Sequence, residues 1–395
     1  MLRNHSLTAC VLAVGLFAGL AWGDDKGSLN ATLTPYLKRH QLPALAAAVV
    51  KEGKVIAAGA VGTRRAGTTS PVTLDDRFHI GSDTKAMTAL LAGMLVEEGK
   101  LRWSSTVAEL FPELAKEIHP DLQGVTLTQL LSHTSGIPSD DEAFDKLLEA
   151  SLTQDGNLDE LRYWTIQRYV TRPLAAKPGE KFAYANMNYM IVGSAIERNV
   201  GQTWEELITE RVFAPLGLKS AGLGPQSSLG RVDAPLGHLE VDGKAKAYLA
   251  GPNGDNPLVM GPAGTVHMSV LDFARWASWN AGGAKRGPAL VRPETRAKLH
   301  EMIMTIPAKK DAAPGTPALG QYGLGWGQVH APWASGPMLY HGGSNTKNLA
   351  HIWVDPKHDF AMVLMTNIGG KSADEAFRAL AETLYTQFAG SKAHD

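Results

Sequence analysis

Apolar and polar positions fall along this chain in distinct patterns. Between residues 44 and 62 the string ALAAAVVKEGKVIAAGAVG forms two apolar runs about a Lys51-Glu52-Gly53-Lys54 turn, which predicts a pair of strands. The far end repeats the pattern, with GPMLYHGGS, LAHIWVDP and FAMVLMTN as three strand-like runs separated by turns. Helical periodicity flanks both sets, in LNATLTPYLKRHQL before the first pair and in SADEAFRALAETLYTQFAG, from near Ser372, after the last. The middle of the chain is mostly helical, and the capping-box patterns Thr126-x-x-Gln129, Thr203-x-x-Glu206 and Ser269-x-x-Asp272 mark helix starts. Strands at both ends with helices between them predict an α+β, two-lobed fold. One antiparallel sheet of five or more strands, from residues near 44–62 and 336–368, is flanked by the terminal helices, and a mostly helical lobe is inserted into it. The sheet lobe is expected from about residues 24–66 and 260–395 and the helical lobe from about 67–259, while AKKDAAPGTPALG, residues 308–320, reads as a mobile surface loop.

The first 23 residues follow a different pattern. Arg3 precedes the apolar run LTACVLAVGLFAGLAW, and small residues Ala21 and Gly23 close it, the layout of a secretory leader cleaved after Gly23. The run is short for a membrane span and Asp24-Asp25-Lys26 follows at once, so export to the periplasm or medium is expected rather than anchoring. LTAC at residues 7–10 resembles a lipoprotein acceptor, but it precedes most of the apolar run, and no lipid anchor is expected. Cys10 is the only cysteine and would leave with the leader, so the mature chain is expected to use neither a disulfide nor a thiol nucleophile.

One helix does not fit the ordinary pattern. In HIGSDTKAMTALLAGMLVEEGKL, residues 79–101, nearly every position from 86 to 96 is apolar, as in a core helix, yet its mouth carries Ser82 and Lys85. Residues three apart on a helix share a face at about 5–6 Å between Cβ atoms, so a lysine amine there can take the serine proton. The helix start adds partial positive charge and free backbone N–H groups. A second Ser-x-x-Lys, Ser344 to Lys347, lies between glycines and a strand-like run with no helix to align it.

Composition narrows the chemistry. Lys+Arg total 38 against 39 Asp+Glu, a net charge of −1, which gives no electrostatic case for nucleic acid or an anionic membrane surface. The 13 histidines are scattered, without His-Glu-x-x-His or cysteine pairs, so no metal site and no cofactor is expected. Tyr184-x-Asn186, the chain's one Tyr-x-Asn, sits just before an apolar helix that Gly201 would stop; its phenol can relay protons and its amide can both donate and accept. His341-Gly342-Gly343 closes a strand, where glycines permit close approach of another backbone.

Ser82-x-x-Lys85, Tyr184-x-Asn186 and His341-x-Gly343, in that order, resemble the three motifs of the penicillin-recognising serine hydrolases, nearest the class C β-lactamase and D,D-peptidase branch, which includes related esterases. VTLTQLLSHTSGIPS, VFAPLGLKSAGLG, GPAGTVHMSVLDFARW and YGLGWG also resemble that family. The resemblance implies that Ser82 is acylated, that Lys85 and Tyr184 share the proton transfers, and that Asn186 holds the substrate amide. It also implies an oxyanion hole from the N–H groups of Ser82 and Ser344, with Gly343 and His341 at the substrate. The expected substrate is a small molecule or peptide: a β-lactam, a D-Ala peptide or an ester. Carboxylesterase activity and a penicillin-binding module without turnover are the alternatives. Lipase-like α/β hydrolases also have HGG-type loops, but the Gly-x-Ser-x-Gly elbow they require is absent from the sequence. Histidine at 341 departs from the usual Lys-Thr-Gly, and with a reference pKa of ~6.5 it implies pH-dependent handling of anionic substrates and weak β-lactam turnover.

Overall fold

The computed structural model describes residues 27–389 except 229, 249–253, 284 and 307–319. The expected leader and its cleavage site lie outside the described residues, as does nearly all of the expected 308–320 loop. The elements that frame the site are α1 (Asn30–Arg39), β1 (Ala44–Lys51), β2 (Lys54–Gly62), α2 (Thr84–Glu97), α3 (Asn186–Val200), α4 (Val270–Ala281), β3 (Met302–Thr305), β4 (Gln321–Gly323), β5 (Gly327–Val329), β6 (Met338–Ser344), β7 (Leu349–Asp355), β8 (Phe360–Thr366) and α5 (Lys371–Phe388). Among the described residues, eight strands form one antiparallel sheet in the order β2-β1-β8-β7-β6-β5-β4-β3. The expected sheet is present and larger than the sequence pattern indicated: β3, β4 and β5, of three or four residues each, extend it beyond β6. Runs that short carry too few alternations to stand out.

The strands are apolar on consecutive residues because both faces of the sheet are covered. Along β1, Leu45, Ala47 and Val49 join one core with Leu33 of α1 and Phe377, Leu380 and Leu384 of α5, while Ala44, Ala46, Ala48 and Val50 face the other core with Phe273 and Trp276 of α4. β8 divides in the same way, Met362 and Leu364 to one side, Ala361, Val363 and Met365 to the other. Side chains alternate across a strand, so each run belongs to two cores at once. The first and last helices therefore share one face of the sheet, as expected from the pattern.

On the other face lies the helical lobe. Thr126 with Gln129 and Thr203 with Glu206 make reciprocal capping boxes. At Ser269 the hydroxyl caps Asp272 N–H, but the Asp272 carboxylate turns to Ser220 and Arg275 instead of reciprocating. α2 is buried from Thr84 to Leu95, as its apolar sequence requires. Its mouth meets the end of β6, and that junction is where the motifs converge.

Candidate active site

The three motifs come from three separate elements. Ser82 lies in a 3₁₀ turn, Gly81–Asp83, that runs directly into α2; Asn186 starts α3; His341 and Gly343 lie on β6. The turn and the strand touch backbone to backbone, and two glycines allow it. A Cβ on Gly343 would lie 1.8 Å from the Ile80 carbonyl oxygen and 2.7 Å from Ser82 N, and one on Gly81, whose φ is +51°, would lie 2.3 Å from Ser344 N. The amides of Ser82 and Ser344 are brought together by this contact.

Lys85 is fully buried. Its Nζ donates to Ser82 Oγ at 3.0 Å, to Asn186 Oδ1 at 2.7 Å and to the Ala263 carbonyl at 2.7 Å. Burial lowers its pKa to about 7, against the opposing charges of Asp140 and Asp83. Tyr184 stands beside it, with the Lys85 ammonium 4.8 Å from the ring centroid. The Tyr184 hydroxyl is buried without a hydrogen-bond partner, and burial raises the phenol's pKa, which the nearby Ser82 only partly offsets. Lysine and tyrosine thus differ: the amine is poised near neutrality, and the phenol holds its proton.

Several residues the sequence reading did not single out shape the site. Asp140 accepts from Asn186 N at 2.9 Å and from Asn186 Nδ2 at 2.6 Å, which leaves the amide oxygen of Asn186 turned to Lys85. Burial raises the Asp140 pKa, against its contacts with Asn186 and the charge of Lys85. His133 brackets the tyrosine: its carbonyl accepts from Ala183 N at 2.9 Å, its Nδ1 accepts from Ala185 N at 3.3 Å, and its ring lies 4.3 Å from that of Tyr184. Gly261, Pro262, Ala263 and Gly264 tie the lobe to α2, through the Ala263 carbonyl on Lys85 and the Pro262 carbonyl on Thr88. HTSG and GPAG were visible in the sequence as family-like stretches, but Asp140 is one carboxylate of an Asp-Asp pair whose other member, Asp141, caps a helix. Nothing local distinguishes them.

His341 differs from its expected role. Its side chain is fully buried, with Nε2 3.1 Å from the Tyr322 hydroxyl, Nδ1 3.0 Å from the Gly342 carbonyl and 3.5 Å from Asp83 Oδ1. Burial, with the charge of Lys85, lowers its pKa to about 3, so it stays neutral from acid to base and the expected charge switch between pH 5 and 8 is absent. Asp83 is likewise buried with both oxygens unpartnered, and burial raises its pKa well above the carboxylate range. The pair packs beneath the nucleophile, with His341 neutral and Asp83 pushed by burial toward its protonated form. In the second Ser-x-x-Lys, Ser344 Oγ donates to the Asn348 carbonyl and accepts from Thr346 N, while Lys347 sits 4.9 Å over the Tyr248 ring. That hydroxyl closes a hairpin loop and has no lysine beside it.

Below the turn, His79 Nδ1 accepts from Gly81 N at 3.0 Å and its Nε2 lies 3.0 Å from Asp255 Oδ1, which also accepts from Asn345 Nδ2 at 2.8 Å. The nucleophile turn, the Asp255 segment and the β6–β7 loop are thereby joined. A lysine amine near its titration point against a serine, where the backbones that carry two amides meet, has the components of acyl transfer.

The fold and this junction define a serine-hydrolase-type scaffold of sheet lobe and helical lobe. The chain belongs to the Beta-lactamase family, whose model matches residues 29–386. It is similar to penicillin-binding protein 4 of Amycolatopsis lactamdurans, at 28% identity over 89% of this chain and 87% of that protein. Among solved structures it resembles the octameric penicillin-binding protein homologue from Pyrococcus abyssi, with a TM-score of 0.70 and 25% identity over 90% of this chain and 76% of that one. It also shares the fold of EstCE1, a hydrolase with promiscuous acyltransferase activity, with a TM-score of 0.73 and 17% identity over 90% of this chain and 97% of that one.

Proposed function

We propose that the protein is an exported serine hydrolase of the class C β-lactamase and D,D-peptidase type, working through an acyl-enzyme on Ser82. The observation that carries this is the contact of 3.0 Å between Ser82 Oγ and a fully buried Lys85 whose pKa is lowered to about 7. Neutral Lys85 takes the Ser82 proton as Oγ attacks the substrate carbonyl carbon. The Ser82 and Ser344 N–H groups receive the oxyanion, and the C–N or C–O bond breaks as the leaving group takes a proton from Lys85 by way of Tyr184. Water then attacks the ester, the fragment leaves as a carboxylic acid, and Ser82 recovers its proton. Asn186, its orientation fixed by Asp140, directs the acyl side. Lys85 is the better base of the two because Tyr184 would have to lose a proton that burial holds in place. The leader-like residues 1–23 support export.

Ester rather than amide turnover is the second reading, favoured by one observation: the neutral His341 provides no fixed cation for a substrate carboxylate. Intact-mass and peptide mapping after treatment with a fluorophosphonate tests the nucleophile. Label on Ser82, lost in Ser82→Ala and retained in Ser344→Ala, is expected; label on Ser344 contradicts the assignment. Parallel kinetics with nitrocefin, a D-Ala-D-Ala peptide and a p-nitrophenyl ester then rank the substrates, and acylation without turnover would mark a binding module.

A further inference from the structure

A cavity of about 380 Å³ lies apart from the three motifs, and none of their residues lines it. Its walls are the turn between β1 and β2, residues 214–219 of the helical lobe, one side of α4 and residues 286–288. Val50, Leu216, Ala274 and Trp279, all buried, give it an apolar floor. The polar side chains around that floor are Lys219, Arg275, Ser278 and Arg286, every one able to donate a hydrogen bond, and no carboxyl side chain is among the described residues that line it.

The two guanidinium groups are held in place without being used up. Arg275 Nη1 donates to the Gly217 carbonyl at 2.6 Å and to Asp272 Oδ1 at 3.2 Å, while its Nε and Nη2 have no acceptor among the described residues. Arg286 crosses the β1–β2 turn, where a Cβ on Gly53, whose φ is +79°, would stand 2.3 Å from its Nε. Its Nη2 pairs with Asp359, and its Nε and Nη1 have no acceptor among the described residues. Lys219, exposed at the mouth, has neither a hydrogen bond nor an ion pair to a described residue, and the Ser278 hydroxyl has no hydrogen bond to one.

Asp272 and Asp359 each balance one arginine from outside the cavity, so the lining carries one cation in excess, Lys219. A cleft lined by one sign of charge gathers ions of the other sign. Donors without acceptors, one uncompensated positive charge and an apolar floor are together complementary to a singly charged anion with an apolar body. An inorganic anion would leave the floor uncovered, and a neutral apolar molecule would leave the donors without an acceptor. The volume is at the small end for a ligand site and suits one ring or branched chain with a short acid arm.

We propose that this cavity binds a small organic monocarboxylate, its carboxylate received by Lys219 and the unused N–H groups of Arg275 and Arg286, and its apolar body laid against Trp279 and Val50. Planar guanidinium groups match a carboxylate in geometry as well as charge. The site is separate from the Ser82 centre and does not depend on the reaction proposed there.

Isothermal titration calorimetry of the full chain at about pH 7 and low salt, with 4-phenylbutyrate, the uncharged 4-phenylbutanamide and acetate, tests this. The expected Kd for phenylbutyrate is about 1 mM or tighter, the range for a ligand of its size. The amide, which lacks the charge, and acetate, which lacks the apolar body, should each bind at least about tenfold more weakly. Lys219→Ala/Arg286→Ala should weaken phenylbutyrate at least about fivefold and leave the amide unchanged, and added salt should act in the same direction on the wild type. Lys219→Arg should keep the wild-type affinity within about twofold, and Lys219→Glu, a single change at an exposed position, should weaken phenylbutyrate at least about fivefold by reversing the uncompensated charge. Melting curves verify that each variant is folded. No phenylbutyrate binding by the folded wild type, equal affinity for the amide, or full affinity in Lys219→Glu or the double variant each overturns the proposal.

Discussion

Replacing Asp140 with asparagine tests the proposed proton transfer where it is most exposed to failure. Lys85 is held near pKa 7 by burial, and the charge of Asp140 is the first of the two groups that oppose that fall. The link is short: Lys85 Nζ is 2.7 Å from Asn186 Oδ1, and Asn186 Nδ2 is 2.6 Å from Asp140 Oδ2, so one amide separates cation from anion and the charges lie within about 8 Å. At an effective dielectric of ~20 that separation is worth about 2 kcal/mol, or roughly 1.5 pKa units. Solvent reaches Asp140 and screens the pair, which trims the effect to about one unit. The sign is fixed, because removing a negative neighbour disfavours the ammonium and the Lys85 pKa must fall. The assay is kcat/KM against pH for a p-nitrophenyl ester, which reports the free enzyme's base. Wild type should lose activity as pH drops through about 7, and Asp140→Asn through about 6. Whatever the variant loses overall through a looser Asn186, its rate relative to wild type should rise about fivefold between pH 8 and pH 6. A relative rate that stays flat or falls toward acid, or a wild-type limb near the ~10.4 of an exposed lysine, would refute Lys85 as the base under Asp140's influence.

Three further outcomes follow from the same geometry. Gly343→Ala forces a Cβ to within 1.8 Å of the Ile80 carbonyl oxygen, so it should cost ~1–3 kcal/mol in denaturant unfolding and about 10²-fold in kcat by parting the Ser82 and Ser344 amides; normal activity at normal stability would show that the contact is dispensable. Because the folded pKa of Lys85 lies below that of an unfolded lysine, the unfolded chain binds more protons between about 7 and 10, and stability gains from this residue as pH rises through that window and is flat below it. Wild type should therefore gain about 2 kcal/mol over Lys85→Met from pH 7 to 9, read from urea midpoints at both pH values. Asp83→Asn replaces a carboxyl that burial pushes toward its neutral form, so the variant should hold the rate within about threefold and move the Lys85 limb less than Asp140→Asn does; a downward shift of a full unit or more would mean that Asp83 is the stronger charge on Lys85 in the native state.

What was legible in the sequence is what periodicity and short motifs encode. The apolar runs at 44–62 and 338–366 announced strands, since every position of β8, and of β1 as far as Val50, is buried on one face or the other. Ser82 and Lys85 stood out because a helix that is buried all round has no structural use for them at its mouth. Three short strands on one side of the sheet, β3 to β5, and the loop that holds Asp255 were not legible, having neither length nor alternation. The charge state of the site was hidden for a different reason: pKa depends on burial and on neighbours remote in sequence. His341 reads as a titrating residue on reference values, yet Tyr322, Gly342 and Asp83 enclose it and it stays neutral.

The same distinction explains why substrate class is the last property to emerge. A family motif names the atoms that break the bond, and those atoms are compatible with β-lactam, peptide and ester alike. Discrimination among them depends on charges the reacting atoms do not carry. In this site the family's usual cation position is occupied by a buried neutral imidazole, while two carboxyl groups more than 100 residues apart in sequence, Asp140 and Asp255, line one cavity with Asn186. A carboxylate-bearing substrate would meet no lysine or arginine among the described residues that line that cavity, and the like charge of its carboxyl groups opposes binding there.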